Sequence, residues 1–513
     1  MVPILRTRWA RGLGLLGVTL AAAIHAPPAA AQGSCSETKL TAGDAECGDY
    51  FGSVALDGDT LAVGAFFDDH AFSDAGSAYV FRKIGSQWVE QQKLVAPDAF
   101  EDDLFGSPLA LQGNTLLVGA FRHAHPFLDR IGAVYAFVWN GSSWVFQQEL
   151  LAGDPQLLGN FGISVALRGD VAAIGSSHDQ LGGGDESGAV YVFRRSNGVW
   201  TQEQKVLASD TAPFGHFGLS VALQDDLLYS NGAGFLYVFH WTGFTWVEVQ
   251  KLIVSDQATG GYLNTIAVRD DWLISGSDSQ DFHLGNSGAA YVFHREGGAW
   301  IERQKLFPSD PAANGYFGRS VVMGPTFALI GASEGASVPG QDLMYAFRRE
   351  GDLWVETRTL RGSDSPLNLL HDGYGFFASV SQCTVAIGAP GDTGACPPEN
   401  SSLSPGKAYV YEIQGCLPCI PALSTWGVLA LTFLLIGFGT VLATRRAAVA
   451  RPACVSGTEK GESKMSAQSK ALLLGTFWVF SQVLGGRALA LVPRTPLDKP
   501  TEATEPADPS RIA

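Results

Sequence analysis

One period, repeated seven times, constrains this 513-residue chain more than any other feature. Phe-Gly pairs or their equivalents stand at Phe51, Phe105, Phe161, Phe217, Tyr262, Phe317 and Phe376, at spacings of 54, 56, 56, 45, 55 and 59 residues. A tyrosine in a G-x-A-Y-V-F-like segment recurs in step at Tyr79, Tyr135, Tyr191, Tyr237, Tyr291, Tyr345 and Tyr409. A third marker, Trp88, Trp144, Trp200, Trp246, Trp300 and Trp354, stands each time six residues before an apolar residue in a W-V-x-x-Q-K-L-like segment. Independent markers on one period mean one structural unit, and a period of this length dictates architecture before any local assignment.

Within a unit the pattern is strand, tight turn, strand, longer loop, strand, turn, strand. Residues 161–207 show it: FGISVAL, the turn Arg168-Gly169-Asp170, VAAIGSS, a polar loop, GAVYVFRR, the turn Ser196-Asn197-Gly198, then VWTQEQKVL. Asn-Gly between alternating apolar strands is a strong hairpin signal, because both central residues must accept positive φ. Each unit therefore reads as a four-stranded antiparallel meander, and the fold class as all-β. Seven such units predict a seven-bladed β-propeller, which leaves no long sheet edge exposed. Small residues in the VGA and IGA strands suit blades converging on an axis, and the aromatic residues fill the wedges between blades, each burying roughly 150 to 250 Å².

The seventh unit has three strands but no W-V-x-x-Q-K-L strand after Tyr411. The segment Lys39-Leu40-Thr41-Ala42-Gly43-Asp44 matches Lys93-Leu94-Val95-Ala96-Pro97-Asp98, so the N-terminal strand is expected to complete the last blade. Composition agrees with strands and turns: 16% charged and 11% aromatic, with 61 glycines, fits neither a coiled coil nor a disordered chain. Between residues 32 and 444 the balance is 21 bases against 44 acids, which repels phosphate backbones and argues against nucleic acid as a partner.

F-G-x-S-V, V-G-A and G-x-x-Y-V-F within one unit resemble the FG-GAP repeat of the integrin α-chain propeller, and the W-x-x-x-Q-K-L strand is similar to its bacterial exported version. The resemblance covers about residues 38–413 and implies the same propeller. Integrin-type repeats often carry a calcium loop, D-x-D-x-D-G-x-x-D, between the first two strands. Here that place holds only short turns (Asp57-Gly58-Asp59, Asp225-Asp226, Asp270-Asp271), too few oxygens for a calcium cage, so no calcium or other cofactor is expected from the resemblance.

The loops between second and third strands vary most and emerge on one face. They carry Asp68, Asp69, His70, His123, His125, His178, Asp179 and His283, the candidate ligand-binding residues. His123-x-His125 is a possible metal pair, though solvated histidines are the commoner case. One aspartate per unit precedes the Phe-Gly pair (Asp44, Asp98, Asp154, Asp210, Asp256, Asp310, Asp364). Those carboxylates either ring an entrance and gather cations or, the favoured reading, close Asx-type turns that join blades. Common hydrolase, zincin and nucleotide-binding motifs are absent, so no catalytic residue is assigned.

The ends read as addresses. Arg6, Arg8 and Arg11, an apolar stretch and Ala29-Ala30-Ala31 make residues 1–31 a secretory signal peptide. Residues 32–415 are the propeller. Residues 416–446 resemble the IPTL-CTERM sorting segment: Ile420, Pro421, Leu423, Ser424, Trp426 and Gly427 keep its motif, with Ala422 and Thr425 departing from it. Trp426–Ala443 is uncharged and long enough for a transmembrane helix, with Arg445 and Arg446 behind it. Such signals normally end a protein; here residues 447–513 follow. Their stretch 465–490 resembles a second signal peptide, from a neighbouring reading frame or as a second membrane segment, and is set apart from the fold. Six cysteines outside the membrane span (Cys35, Cys47, Cys383, Cys396, Cys416, Cys419) predict disulfides, with Cys383–Cys396 one way to close a loop of the last blade and the others flanking the latch. Together these features lead to an exported, surface-attached binding or adhesion module. Its partners would be an extracellular protein or glycan and a membrane processing enzyme. A metal-assisted hydrolase or lyase and a passive envelope component are the alternatives.

Overall fold

In the computed structural model, residues 36–413 are described, apart from 125–129, 181–185, 257–262, 280–284, 313, 334–341, 365–371, 393–395 and 397–403. Residues 1–31, expected to be a signal peptide, and the expected sorting and transmembrane segment 416–446 lie outside them, and among the described residues no helix is long and apolar enough to cross a membrane.

Twenty-eight strands form seven four-stranded antiparallel sheets. Blade 1 is β2 (Phe51–Asp57), β3 (Thr60–Ala65), β4 (Ser77–Ile84) and β5 (Gln87–Leu94); blade 2 is β6 (Leu109–Gln112), β7 (Thr115–Ala120), β8 (Ala133–Trp139) and β9 (Trp144–Leu150). Blade 3 is β10 (Phe161–Arg168), β11 (Val171–Ser176), β12 (Ala189–Ser196) and β13 (Val199–Val206); blade 4 is β14 (Val221–Gln224), β15 (Leu227–Gly232), β16 (Phe235–Trp241) and β17 (Trp246–Leu252). Blade 5 is β18 (Thr265–Arg269), β19 (Trp272–Ser277), β20 (Ala289–Glu296) and β21 (Ala299–Leu306); blade 6 is β22 (Val321–Met323), β23 (Phe327–Ser333), β24 (Asp342–Glu350) and β25 (Leu353–Leu360). Blade 7 is β26 (Ala378–Ser381), β27 (Thr384–Ala389), β28 (Lys407–Glu412) and, as its outer strand, β1 (Ser36–Leu40).

The expected latch is therefore present: β1 pairs with β28 from Ser36↔Glu412 to Leu40↔Ala408. Glu37 extends it by accepting the Tyr411 hydroxyl at 3.0 Å and the Ser363 hydroxyl at 2.6 Å. A disulfide joins Cys47, just after β1, to Cys396, in the loop before β28. This corrects the Cys383–Cys396 pairing: Cys383 is an unpaired thiol at the end of the turn into β27, where it packs against the blade 6–7 core, and the connector from β1 brings Cys47 to Cys396 instead.

The core is divided into wedges between neighbouring blades. In the blade 7–1 wedge Leu61, Val63, Tyr79, Phe81 and Trp88 meet Leu40, Ala386 and Val410; in the next wedge the alternate residues Ala62, Ala78, Val80 and Leu94 meet Phe105, Leu116 and Trp144. Trp88 and Leu94 are six residues apart, and in a regular strand even spacing would put both on one face. A β-bulge lets them diverge. Val80 pairs with Gln92 and Phe81 with Glu90, leaving Gln91 extra, and the same shift recurs in the outer pairs of blades 2 to 6.

Two further spacings are explained by contact across the wedge. Gly64 of the V-G-A strand faces Gly106 of the next Phe-Gly pair, where a Cβ would lie 1.8 Å from the Gly106 carbonyl oxygen. Each paired phenylalanine stacks edge-on against the tyrosine of its own blade, as Phe105 does on Tyr135 at 5.5 Å between centroids. In blade 7 that position belongs to Tyr374, fully buried and 5.4 Å from Tyr409, and not to Phe376, which is half-buried under the Arg319 guanidinium. Tyr262, the blade 5 marker, lies outside the described residues.

Candidate functional site

In a meander the loops between second and third strands share a face with the connectors that lead from one blade to the next. That face holds every candidate residue among the described residues. Its framework is a repeated lock in which the connector aspartate accepts the hydroxyl of the following blade's tyrosine, in all seven blades and at 2.7–2.8 Å. Burial of the phenol demands such a partner, and it raises the hydroxyl pKa, with the carboxylate adding to the shift. The expected Asx turn thus gives way to a blade-to-blade bond.

A third member stands opposite the tyrosine on the outer strand. It is Lys93, Lys205, Lys251, Lys305 and, from β1, Lys39. Lys93 lies 2.7 Å from Asp44 and 2.7 Å from Asp68, and Lys205 lies 2.8 Å from Asp154 and 2.9 Å from Asp179. Burial opposes the ionised form of Asp44, but the Lys93 and Tyr79 hydrogen bonds outweigh it and hold its pKa down. Asp68 and Asp179, two of the candidate residues, are the buried fourth members of these locks, since both also accept the tyrosine hydroxyl.

Blade 2 keeps the geometry and exchanges the charges. His123 occupies the position of Asp68, making the same backbone bonds to Ala120 and Gly132, and Glu149 replaces the lysine opposite Tyr135. His123 is buried, with Nδ1 3.1 Å from Asp103 and Nε2 3.8 Å from Glu149. Burial lowers its pKa, but hydrogen bonding and attraction from Asp103 and the field of Asp98 and Glu149 raise it overall. Asp98, His123 and Glu149 bring their ligand atoms within 4.8 Å of one another, the first of two such clusters among the described residues.

His70 and Asp69 order the blade 1 loop: the His70 backbone N–H donates to Asp68, its Nδ1 is 3.3 Å from Ser77, and Asp69 accepts the Asp74 N–H. His125 and His283 lie outside the described residues. His178 differs from the other placed histidines. It is half-buried, its Nδ1 is held at 3.0 Å by both Ser177 Oγ and Asn160, and its Nε2 points to Glu186 at 3.9 Å. The His216 ring stands 4.9 Å from it, and His178, Glu186 and His216 form the second cluster. Burial and the neighbouring imidazole lower the His178 pKa, against the opposing pull of Glu186.

His216 also borders a depression of about 420 Å³ between the loops of blades 3, 4 and 5, lined in part by Phe214, Leu219, Asn231 and Asn264. It exists because the turn from β15 to β16 is only Ala233-Gly234, where other units carry long loops. Apolar side chains stand out along the same arc: Phe72 stacked near Phe100, then Leu157 and Leu158, then Phe214, each about half exposed or more.

Five segments, residues 36–81, 88–137, 144–193, 200–229 and 300–344, match the family model described as FG-GAP repeat. Those five stretches of the propeller are FG-GAP repeats. Each matched segment begins in the outer strand of one blade and runs into the next, so the FG-GAP unit spans the wedge, and the first three segments each hold both the connector aspartate and the tyrosine it accepts from. No curated protein matches the chain.

Glu186 and His216 escaped the sequence reading. His216 takes the place held by Tyr50, Leu104, Asn160 and Tyr316 before the other Phe-Gly pairs, so aligning the FG-GAP units against each other would have singled it out.

Proposed function

We propose that this FG-GAP propeller is a ligand-binding module whose working surface is the connector face over blades 1 to 4, and that it is not an enzyme. The observation that carries this reading is the arc of exposed apolar side chains, Phe72, Phe100, Leu157, Leu158 and Phe214, running beside a depression on one side of a highly acidic protein. A protein interface draws on such apolar and aromatic residues for its central contacts. The ligand is an extracellular protein or glycan, and the chain is exported and held at the membrane or cell surface through its C-terminal segment after a processing enzyme has acted. The signal-like N-terminus and the sorting-like motif of the sequence support that location.

The test is a binding screen of the full chain against glycans and extracellular proteins. Saturable binding that falls at least tenfold in Phe100→Ser and Phe214→Ser, with unchanged melting behaviour, supports the reading. Binding that ignores both substitutions, or turnover of a hydrolase or lyase substrate, refutes it.

A further inference from the structure

The geometry points to a transition-metal site formed by His178, Glu186 and His216 at the junction of blades 3 and 4. This goes beyond the binding-module reading and does not depend on it.

The three residues come from three segments already tied together. His178 lies in the loop after β11, its backbone N–H bonded to the Gly159 carbonyl. Glu186 ends that loop before β12, and its carbonyl accepts the backbone N–H of His216, which sits in the connector to blade 4. Their ligand atoms lie within 4.8 Å of one another. Ligands about 2.0–2.2 Å from a shared tetrahedral ion sit roughly 3.4 Å apart, so small side-chain rotations close the cage.

Both imidazoles are prepared for coordination. His178 Nδ1 stands 3.0 Å from Ser177 Oγ and from the Asn160 side-chain amide, which leaves Nε2 facing Glu186; coordination at Nε2 puts the proton on Nδ1, where Ser177 Oγ and, once the amide is flipped, Asn160 Oδ1 accept it, the usual support of a metal-bound histidine. Nδ1 of His216 is buried and finds no hydrogen-bond partner among the described residues. The two rings stand 4.9 Å apart, tilted at 53° to each other, and a metal uses both as neutral donors.

Two nitrogens and one carboxylate select a zinc-like first-row divalent ion and disfavour calcium or magnesium, which take oxygen. Three protein ligands leave a position open. His216 also lines the depression of about 420 Å³, so a carboxylate or hydroxyl of a molecule seated there is the class of group that would complete the coordination.

The full chain, prepared without a histidine tag and stripped with a chelator, is titrated with Co²⁺ and followed by its visible ligand-field absorption, with Zn²⁺ and Ca²⁺ as competitors. One equivalent of Co²⁺ should bind saturably and be displaced by Zn²⁺ but not by Ca²⁺. Affinity should fall at least about tenfold in His178→Gln, His216→Gln and Glu186→Gln, and stay unchanged in His123→Gln. Glu186→Gln preserves shape at a partly exposed position, so it decides the question if a histidine variant fails to fold. The proposal is overturned if the wild-type chain binds Co²⁺ no better than Glu186→Gln or the His178→Gln/His216→Gln double variant. Loss confined to His123→Gln also overturns it, because the ion would then belong to blade 2.

Discussion

Exchanging the charges of blade 2 back to the pattern of blades 1 and 3 tests whether the lock works by charge complementarity or by shape. His123→Asp removes an imidazole whose acidic neighbours favour its protonated form and gathers four carboxylates, Asp98, Asp103, Glu149 and the new one, around Tyr135. The lost bond from His123 to Asp103 contributes about 1.5–3 kcal/mol as a charge-assisted hydrogen bond. Repulsion adds to that, with a ceiling: the new carboxyl can protonate instead, at a cost near 4 kcal/mol at pH 7 for a group of ordinary pKa. A net loss of about 3–5 kcal/mol follows. Adding Glu149→Lys recreates the arrangement in which Lys93 reaches Asp44 and Asp68, each at 2.7 Å. Asp44 is about half exposed, so each restored pair is worth about 1–2 kcal/mol and not the full Coulomb value. The double variant should therefore lie within about 2 kcal/mol of wild type, although Glu149→Lys alone is near neutral, because the new ammonium gains Asp98 while facing His123. Urea unfolding of the four proteins at pH 7.5 measures the cycle. Additive losses, or a double variant less stable than His123→Asp, would refute complementarity as the organising term.

Three shorter predictions follow from other parts of the frame. Gln148 both donates to the Trp200 carbonyl and accepts the Trp200 N–H, each at 2.8 Å, so Gln148→Ala should cost about 1–3 kcal/mol in urea melts, while Gln148→Asn, too short to reach both, should recover little. Replacing Cys47 and Cys396 by serine opens a covalent loop spanning 349 positions; stability should fall by as much as about 5 kcal/mol, with trypsin cutting first near β1, and an unchanged melt would show that β1 pairing alone holds the ring. Burial, with the Asp68 charge adding to it, pushes the Asp49 pKa up to about 6. Its folded form favours the proton, so its contribution is complete below the ordinary pKa near 3.9 and is lost as pH rises through 6; Asp49→Asn should raise Tm at pH 7.5 and flatten the profile between about pH 4 and 6.

Much of the frame was legible because a repeat displays its own rules. The seven tyrosines and the N-terminal match to the W-V-x-x-Q-K-L segment were enough to predict the blade count and the strand that closes the ring, and sheet pairing agrees with both. What spacing alone could not show was direction. Between Trp88 and Leu94 the count is even, so a flat reading sends both into one wedge; the bulge at Gln91 reverses it. From that reversal the outer strand becomes readable residue by residue. Trp88, Glu90 and Lys93 turn to the preceding wedge, where Glu90 accepts the Gly43 N–H and Lys93 meets Asp44. Gln92 and Leu94 turn to the following one, where Gln92 pairs with Trp144. The Tyr135–Asp98 bond was hidden for a similar reason: its members are 37 residues apart and meet only when a connector folds back over the next blade. Phe376 misled because an insertion before it let Tyr374 take the wedge position, a substitution of one aromatic ring for another that no spacing rule flags.

The same frame also sorts the polar residues of the connector face. Asp68, Asp179 and the seven connector aspartates bond to tyrosine and, outside blades 2 and 6, to lysine of the fold, so their presence on a loop-rich face says little about ligands. Subtracting them leaves residues that depart from the repeat without serving it. Tyr50, Leu104, Asn160 and Tyr316 hold the position before a Phe-Gly pair with positive φ, as His216 does, so backbone strain there recurs from blade to blade and is not a sign of chemistry. The imidazole is what distinguishes blade 4, and it stands where the neighbouring loop is shortest and beside His178, a connector-face histidine whose Nε2 faces an accessible carboxylate outside the locks. In a propeller whose units repeat the same interactions, a specific site has to come from such departures. That is why His178, Glu186 and His216 carry a functional inference that the more numerous aspartates cannot.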